Sequence, residues 1–142
     1  MKILILCTGN SCRSQMAHGF LKSFDNRMEV ASAGTNPTLQ VNQKAVEVMS
    51  EAGIDISHHK PQMVDKYLTE VWDYVITVCD HANETCPTFS GKVKKRLHIA
   101  FEDPSQATGT PEFIQNEYYR VRDEIKEAFF NLYEEEIKSQ LP

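Results

Sequence analysis

The chain has little of several things, and each shortage narrows what it can be. After Lys2 the N-terminus offers only Ile3 to Leu6 as a run of aliphatic residues. A signal-peptide core needs at least about seven such residues and a membrane-spanning helix about 20. No other window comes closer to a spanning length, so a soluble, cytoplasmic protein without a membrane partner is expected. Positive charge is also scarce. Fifteen Lys and Arg face twenty Asp and Glu for a net charge of −5, which argues against general nucleic-acid binding. Glycine and proline number six each in 142 residues. There is no internal repeat, no low-complexity tract and no linker rich enough in Gly, Ser or Pro to divide domains. One domain spanning 1–142, a monomer, is the expectation. Cysteine is not scarce: Cys7, Cys12, Cys79 and Cys86 would lie in a reducing compartment. There a catalytic or redox role outweighs a structural disulfide framework.

Strand and helix patterns alternate along the sequence. "KILILC" reads as a buried strand, and Ser14 to Phe24 as a helix with Met16, Ala17, Phe20, Leu21 and Phe24 on one face. "MEVASAGT" is a second strand. Asn42 to Ala52 is a second helix, with Asn42 as N-cap candidate and Gly53 in the C′ position. "YVITVC", 74 to 79, is a third strand and "RLHIAF", 96 to 101, a fourth. A long terminal helix starts near Pro111, with Ile114, Tyr118, Val121, Ile125, Phe129 and Leu132 at helical spacing. The fold class is therefore α/β: a four-stranded parallel sheet in a three-layer arrangement, helices on both faces. Such sheets bind ligands beyond the carboxyl ends of their strands. Cys7 and Cys79 both stand at such ends. They share one rim if their strands are neighbours.

The densest signal is "CTGNSCRS", residues 7 to 14, between the first strand and the first helix. Consecutive backbone N–H groups of Thr8, Gly9, Asn10, Ser11, Cys12 and Arg13 in a tight turn can form a nest for a tetrahedral oxyanion. The helix dipole adds to it. The Arg13 guanidinium can hold two oxyanion oxygens at once. The same field favours a thiolate at Cys7, which Ser14 is placed to hydrogen-bond. Asn10 tolerates the left-handed conformation that a tight loop requires. The competing reading, Cys7 as core filler and Arg13 as a solvated first-turn residue, loses to the complete string in its strand-to-helix setting.

"CTGNSCRSQMA" resembles the active-site loop of the low-molecular-weight protein tyrosine phosphatase superfamily, and specifically its thioredoxin-coupled arsenate reductase branch. Asp103-Pro104 is similar to that superfamily's general-acid loop. "VITVCDHANETCP", 75 to 87, resembles the segment carrying the extra redox cysteines of the reductases. "SAGT" at 32 to 35, "GIDISHH" at 53 to 59 and "RVRDEIK" at 120 to 126 extend the likeness over nearly the whole chain. The resemblance implies a phosphatase-like fold and an arsenate- or phosphate-type oxyanion substrate, with thioredoxin as reductant. It also implies a relay in which Cys7 attacks arsenic, Asp103 protonates the departing oxygen, Cys79 attacks Cys7 and Cys86 attacks Cys79. The spacing of seven residues between Cys79 and Cys86 allows loop closure, and "DHANET" reads as a polar, turn-prone segment suited to rearrangement. The alternative is a tyrosine phosphatase working through a Cys7 phosphoenzyme, with Cys79 and Cys86 regulatory; a non-enzymatic anion or redox sensor is a third.

Departures from the family pattern carry information. Ser105 follows Asp-Pro where phosphatases commonly carry an aromatic that stacks on the substrate ring, which favours a small inorganic substrate. His18, Lys60 and Gln62 stand where some reductases place potassium ligands. No metal and no cofactor are expected, and Lys60 is a candidate source of positive charge near the loop. A zinc reading of Cys79, His81 and Cys86 lacks the usual cysteine spacing. Cys12 reads as a bystander, His58-His59 as a surface pair, and "KVKKR", 92 to 96, as a solvated strand entrance.

Overall fold

The computed structural model describes residues 1–142. Four strands form one parallel sheet in the order β2–β1–β3–β4: β1 (Lys2–Cys7), β2 (Glu29–Gly34), β3 (Trp72–Thr77) and β4 (Val93–His98). The strand order reverses at β1, whose register pairs Cys7 with Gly34 on one side and Leu6 with Thr77 on the other. Cys7 therefore ends the strand beside the one that leads into Cys79. The condition for a shared rim is met.

Alternation along β1 sends Ile3, Ile5 and Cys7 to one face and Leu4 and Leu6 to the other. All five are buried. The first face packs under α1 (Arg13–Phe24), α2 (Gln43–Glu51) and α4 (Pro111–Leu132), which bury Met16, Phe20, Val48, Met49, Val121, Ile125 and Phe129. The second face is covered more thinly, by a 3-10 turn at Val64–Tyr67 and by Trp72 and Phe89. Asn42 caps α2 by accepting from the Ala45 amide at 3.1 Å, and Thr110 caps α4 through the Phe113 amide at 3.1 Å, with Pro111 in the first position. Such caps each contribute about 1 kcal/mol. Gly53, at φ 82°, closes α2 in the left-handed region.

Two expectations are corrected. The fourth strand is Val93–His98 rather than 96–101. It is an edge strand, so Lys94 and Lys95 can point outward and pair with Asp73 and Glu136, and "KVKKR" lies mostly in the strand. Residues 99 to 101 leave the sheet and steer the chain toward Asp103. The second correction concerns "DHANET", which is a short helix, α3 (Asp80–Thr85), not an open turn. Ala82 is its one buried residue, and a single apolar position gives no periodicity to read.

Candidate functional site

The loop from Cys7 to Ser14 wraps the start of α1. Cys12 occupies the N-cap with no side-chain cap, and the backbone N–H groups of residues 9 to 14 donate to no protein acceptor. Buried amides are normally paired. A run of free N–H groups at a helix start is a ready site for an oxyanion.

What holds the loop is behind it. Asn10 adopts φ 50°, a strained choice for a residue with a side chain, and it is fully buried. Its Oδ1 accepts from the Gln62 amide at 2.9 Å. Its Nδ2 donates to Ser14 Oγ at 2.8 Å, and its carbonyl accepts from Gln15 Nε2 at 3.0 Å. Gly34 lies against the same turn. A Cβ there would sit 2.4 Å from the Thr8 carbonyl oxygen, so only glycine fits. Because Ser14 Oγ is an acceptor for Asn10, its own proton is free to be donated; it forms no hydrogen bond to Cys7 in this arrangement.

Arg13 reaches across to the 101–103 segment. Nη1 donates to the Phe101 carbonyl at 3.1 Å and Nη2 lies 3.4 Å from Asp103 Oδ2. Cation and acid are thus held side by side at the loop's mouth. Asp103 Oδ1 accepts from both the amide and the hydroxyl of Ser105, at 3.0 and 2.7 Å. The serine that replaces an aromatic therefore orients the carboxylate, a role the sequence pattern did not disclose.

The four cysteines separate by environment. Cys7 and Cys79 are buried in the same cluster, and Thr8 Oγ1 lies 3.4 Å from Cys79 Sγ. The two sulfurs act chiefly on one another and carry one negative charge between them, since a second would face the first in a dry site. Cys79 is pulled down to about 5, first by the Cys7 thiol, against burial, and then by Thr8, the Ala82 amide and Arg13. Cys7 is pushed up by the same Cys79 contact and by burial, with Arg13 and the Thr8 amide opposing. One thiolate is thus shared by the Cys7–Cys79 pair beside Arg13. Cys12 is pushed up to about 12 by burial and then by Asp103, with Arg13 opposing, which leaves it an inert thiol. Cys86 is half-buried against the opposite face of the sheet. Its Sγ faces the Pro87 carbonyl at 3.6 Å, and burial raises it with Arg96 opposing.

Cys7, Arg13, Ser14, Asp103 and Cys79 thus come together, and Cys86 does not. At 1.5 Å per residue a helical path from 79 to 86 covers about 10 Å, beyond the ~7 Å that a disulfide tolerates between Cα atoms. Gln15, Gln62 and His59 support the loop and were missed because hydrogen bonds from behind leave no sequence pattern. Of the His58-His59 pair, His58 is exposed and His59 is half-buried. The latter turns inward to Gln15 at 2.9 Å and stacks on His18 with ring centroids 4.5 Å apart. Lys60 is exposed. No His, Cys, Asp or Glu cluster suited to a metal ion is present, and no helix is long and apolar enough to cross a membrane.

An arsenate reductase of Halalkalibacterium halodurans is 45% identical over 124 residues, 87% of this chain and 88% of that protein. One from Staphylococcus aureus is 45% identical over 130 residues, 91% of this chain and 93% of its own. A solved arsenate reductase in its phosphate-binding state superposes with a TM-score of 0.76 at 30% identity, covering 94% of this chain and 97% of that one. A tyrosine phosphatase of Erwinia amylovora, 17% identical over 99% of this chain and 92% of its own, shares the fold with a TM-score of 0.73. The sequence profile of low molecular weight phosphotyrosine protein phosphatases matches residues 2–141, and the chain belongs to that family.

Proposed function

We propose that the protein reduces arsenate to arsenite by passing a disulfide along Cys7, Cys79 and Cys86, with thioredoxin as the final reductant. The observation that carries this reading is the pairing of β1 with β3, which brings the Cys7 and Cys79 sulfurs together beside Arg13. Phosphoryl transfer needs one sulfur there, whereas a two-electron reduction needs two.

Arsenate sits on the free amides of residues 9 to 14, countered by Arg13. Cys7 passes its proton to Cys79 and attacks arsenic. The departing oxygen takes a proton from Asp103 and leaves as water. Cys79 gives the proton it took from Cys7 to an arsenic-bound oxygen, and its thiolate then attacks the Cys7 sulfur. The sulfur–arsenic bond breaks with its electron pair on arsenic, releasing arsenite and leaving a Cys7–Cys79 disulfide. Cys86 attacks Cys79, returning Cys7 as a thiolate. A dithiol of thioredoxin reduces Cys79–Cys86 and becomes oxidised itself. The exchange onto Cys86 requires α3 to unwind and carry that residue around the sheet edge. The protein works as a cytoplasmic monomer in this scheme.

The position of Cys86 on the far face of the sheet favours a second reading, a tyrosine phosphatase using Cys7 and Asp103 alone. A thiol count by mass spectrometry after arsenate is added without reductant separates the two. The relay consumes two thiols per arsenite formed, and Cys86→Ser stops after one turnover with Cys7 and Cys79 joined. Unchanged thiols, with p-nitrophenyl phosphate turnover intact in the Cys79→Ser/Cys86→Ser double variant, would leave the phosphatase.

A further inference from the structure

Behind the anion loop the chain is not packed solid. A cavity of about 200 Å³ lies there, lined by Gln15, His18, Ser32, His59, Lys60 and Gln62 among others. The rear of the loop is therefore held largely by hydrogen bonds, and their order can be followed outward from Asn10.

Gln15 is buried, and its Nε2 donates to the Asn10 carbonyl. That bond settles the amide's orientation, because the flipped amide would set oxygen against oxygen. Gln15 Oε1 then faces His59 Nδ1 at 2.9 Å. An amide oxygen only accepts, so the His59 proton must be on Nδ1 and the lone pair on Nε2. The ring is kept neutral. Burial, then His58 and Lys22, push it down to about 4, with Asp55 opposing. The stacked His18 goes to about 3 through burial, His59, Lys22 and His58. His18 Nδ1 lies 2.9 Å from Ser32 Oγ on β2, which ties the stack to the sheet edge.

We propose that His59 is a positioning residue for the oxyanion cradle: its Nδ1–H fixes the Gln15 amide, which fixes the Asn10 carbonyl and hence the left-handed bend. The substrate never meets the imidazole. Its influence reaches the site through two hydrogen bonds in series, and the bend at Asn10 decides where the amides of the following residues point. The inference rests on the oxyanion loop, not on the redox relay.

The test uses inorganic phosphate as the probe and needs no turnover. In the wild-type protein, 15N-resolved imidazole spectra should show His59 protonated at Nδ1 and bare at Nε2. His59→Ala should weaken phosphate binding, measured by calorimetry, roughly fivefold to tenfold, the worth of about one hydrogen bond. His59→Asn places an amide N–H where Nδ1 stood and should restore binding to within about twofold. A wild-type ring protonated at Nε2 would overturn the proposal, whatever the variants do. So would a His59→Ala protein that binds phosphate as tightly as wild type, or a His59→Asn protein no better than His59→Ala. Loss of the arsenate reductase reading would leave all three results standing.

Discussion

Around Asn10 the chain is tied from several sides: Gln62 and Gln15 hold its oxygens, Ser14 takes its amide, and Gly34 lies close against the turn. Between Cys79 and Cys86 the ties are few. α3 has a helical bond from the Asn83 amide to the Cys79 carbonyl, a Thr85 bond to the His81 carbonyl, and tethers from Asp80 to His98 and from Thr77 to Asn83. Only Ala82 is buried along it. A helix of six residues has little stability apart from its packing. The difference divides labour in a way local stability permits: the corner that presents the free amides is over-determined, and the segment that the proposed relay moves is lightly held.

The sharpest break in that comparison comes at the nucleophile. Cys7→Ser should lower arsenate turnover by at least about a thousandfold while phosphate binding persists, since the cradle is backbone. A loss of binding as well would mean that the sulfur, not the amides, shapes the loop. Arg13→Lys should cost roughly a hundredfold in turnover, because an ammonium cannot bridge the Phe101 carbonyl and an oxyanion as a planar fork does. Gly34→Ala tests the rigid corner directly. Its methyl meets the Thr8 carbonyl, and thermal melting should report a loss of about 1–3 kcal/mol. A comparable substitution in α3, Ala82→Gly, should melt nearer the wild type. The smallest effect is one of titration. Alkylation by iodoacetamide should rise with pH through about 5, the value held by Cys79, and fall away in Cys79→Ser. A folded value below the unfolded one means that this thiolate stabilises the fold at neutral to mildly alkaline pH. The contribution is lost as pH drops toward 5. A midpoint near the ordinary thiol value would show that the two sulfurs are not coupled.

Much of this was legible from residues alone, for identifiable reasons. The strand-to-helix loop, Asn42 and Pro111 at helix starts and the apolar faces of α1 and α4 depend on local chemistry and period, which sequence carries directly. Cys7, Arg13 and Asp103 stood out because oxyanion chemistry needs those groups. The α3 helix was invisible because one buried alanine makes no pattern, and β4 was displaced because an edge strand can be as basic as a loop.

By itself the order of residues determined that a cysteine would end the first strand, that free amides and an arginine would follow it, and that two further cysteines would flank a polar segment. Only the tertiary structure decided the rest: that β1 lies beside β3, that Cys7 and Cys79 share one thiolate, that Cys86 packs on the other face, and that His59 turns inward. Each of those depends on which distant groups share a dry space, and pairing, proton location and burial are properties of that space rather than of any segment.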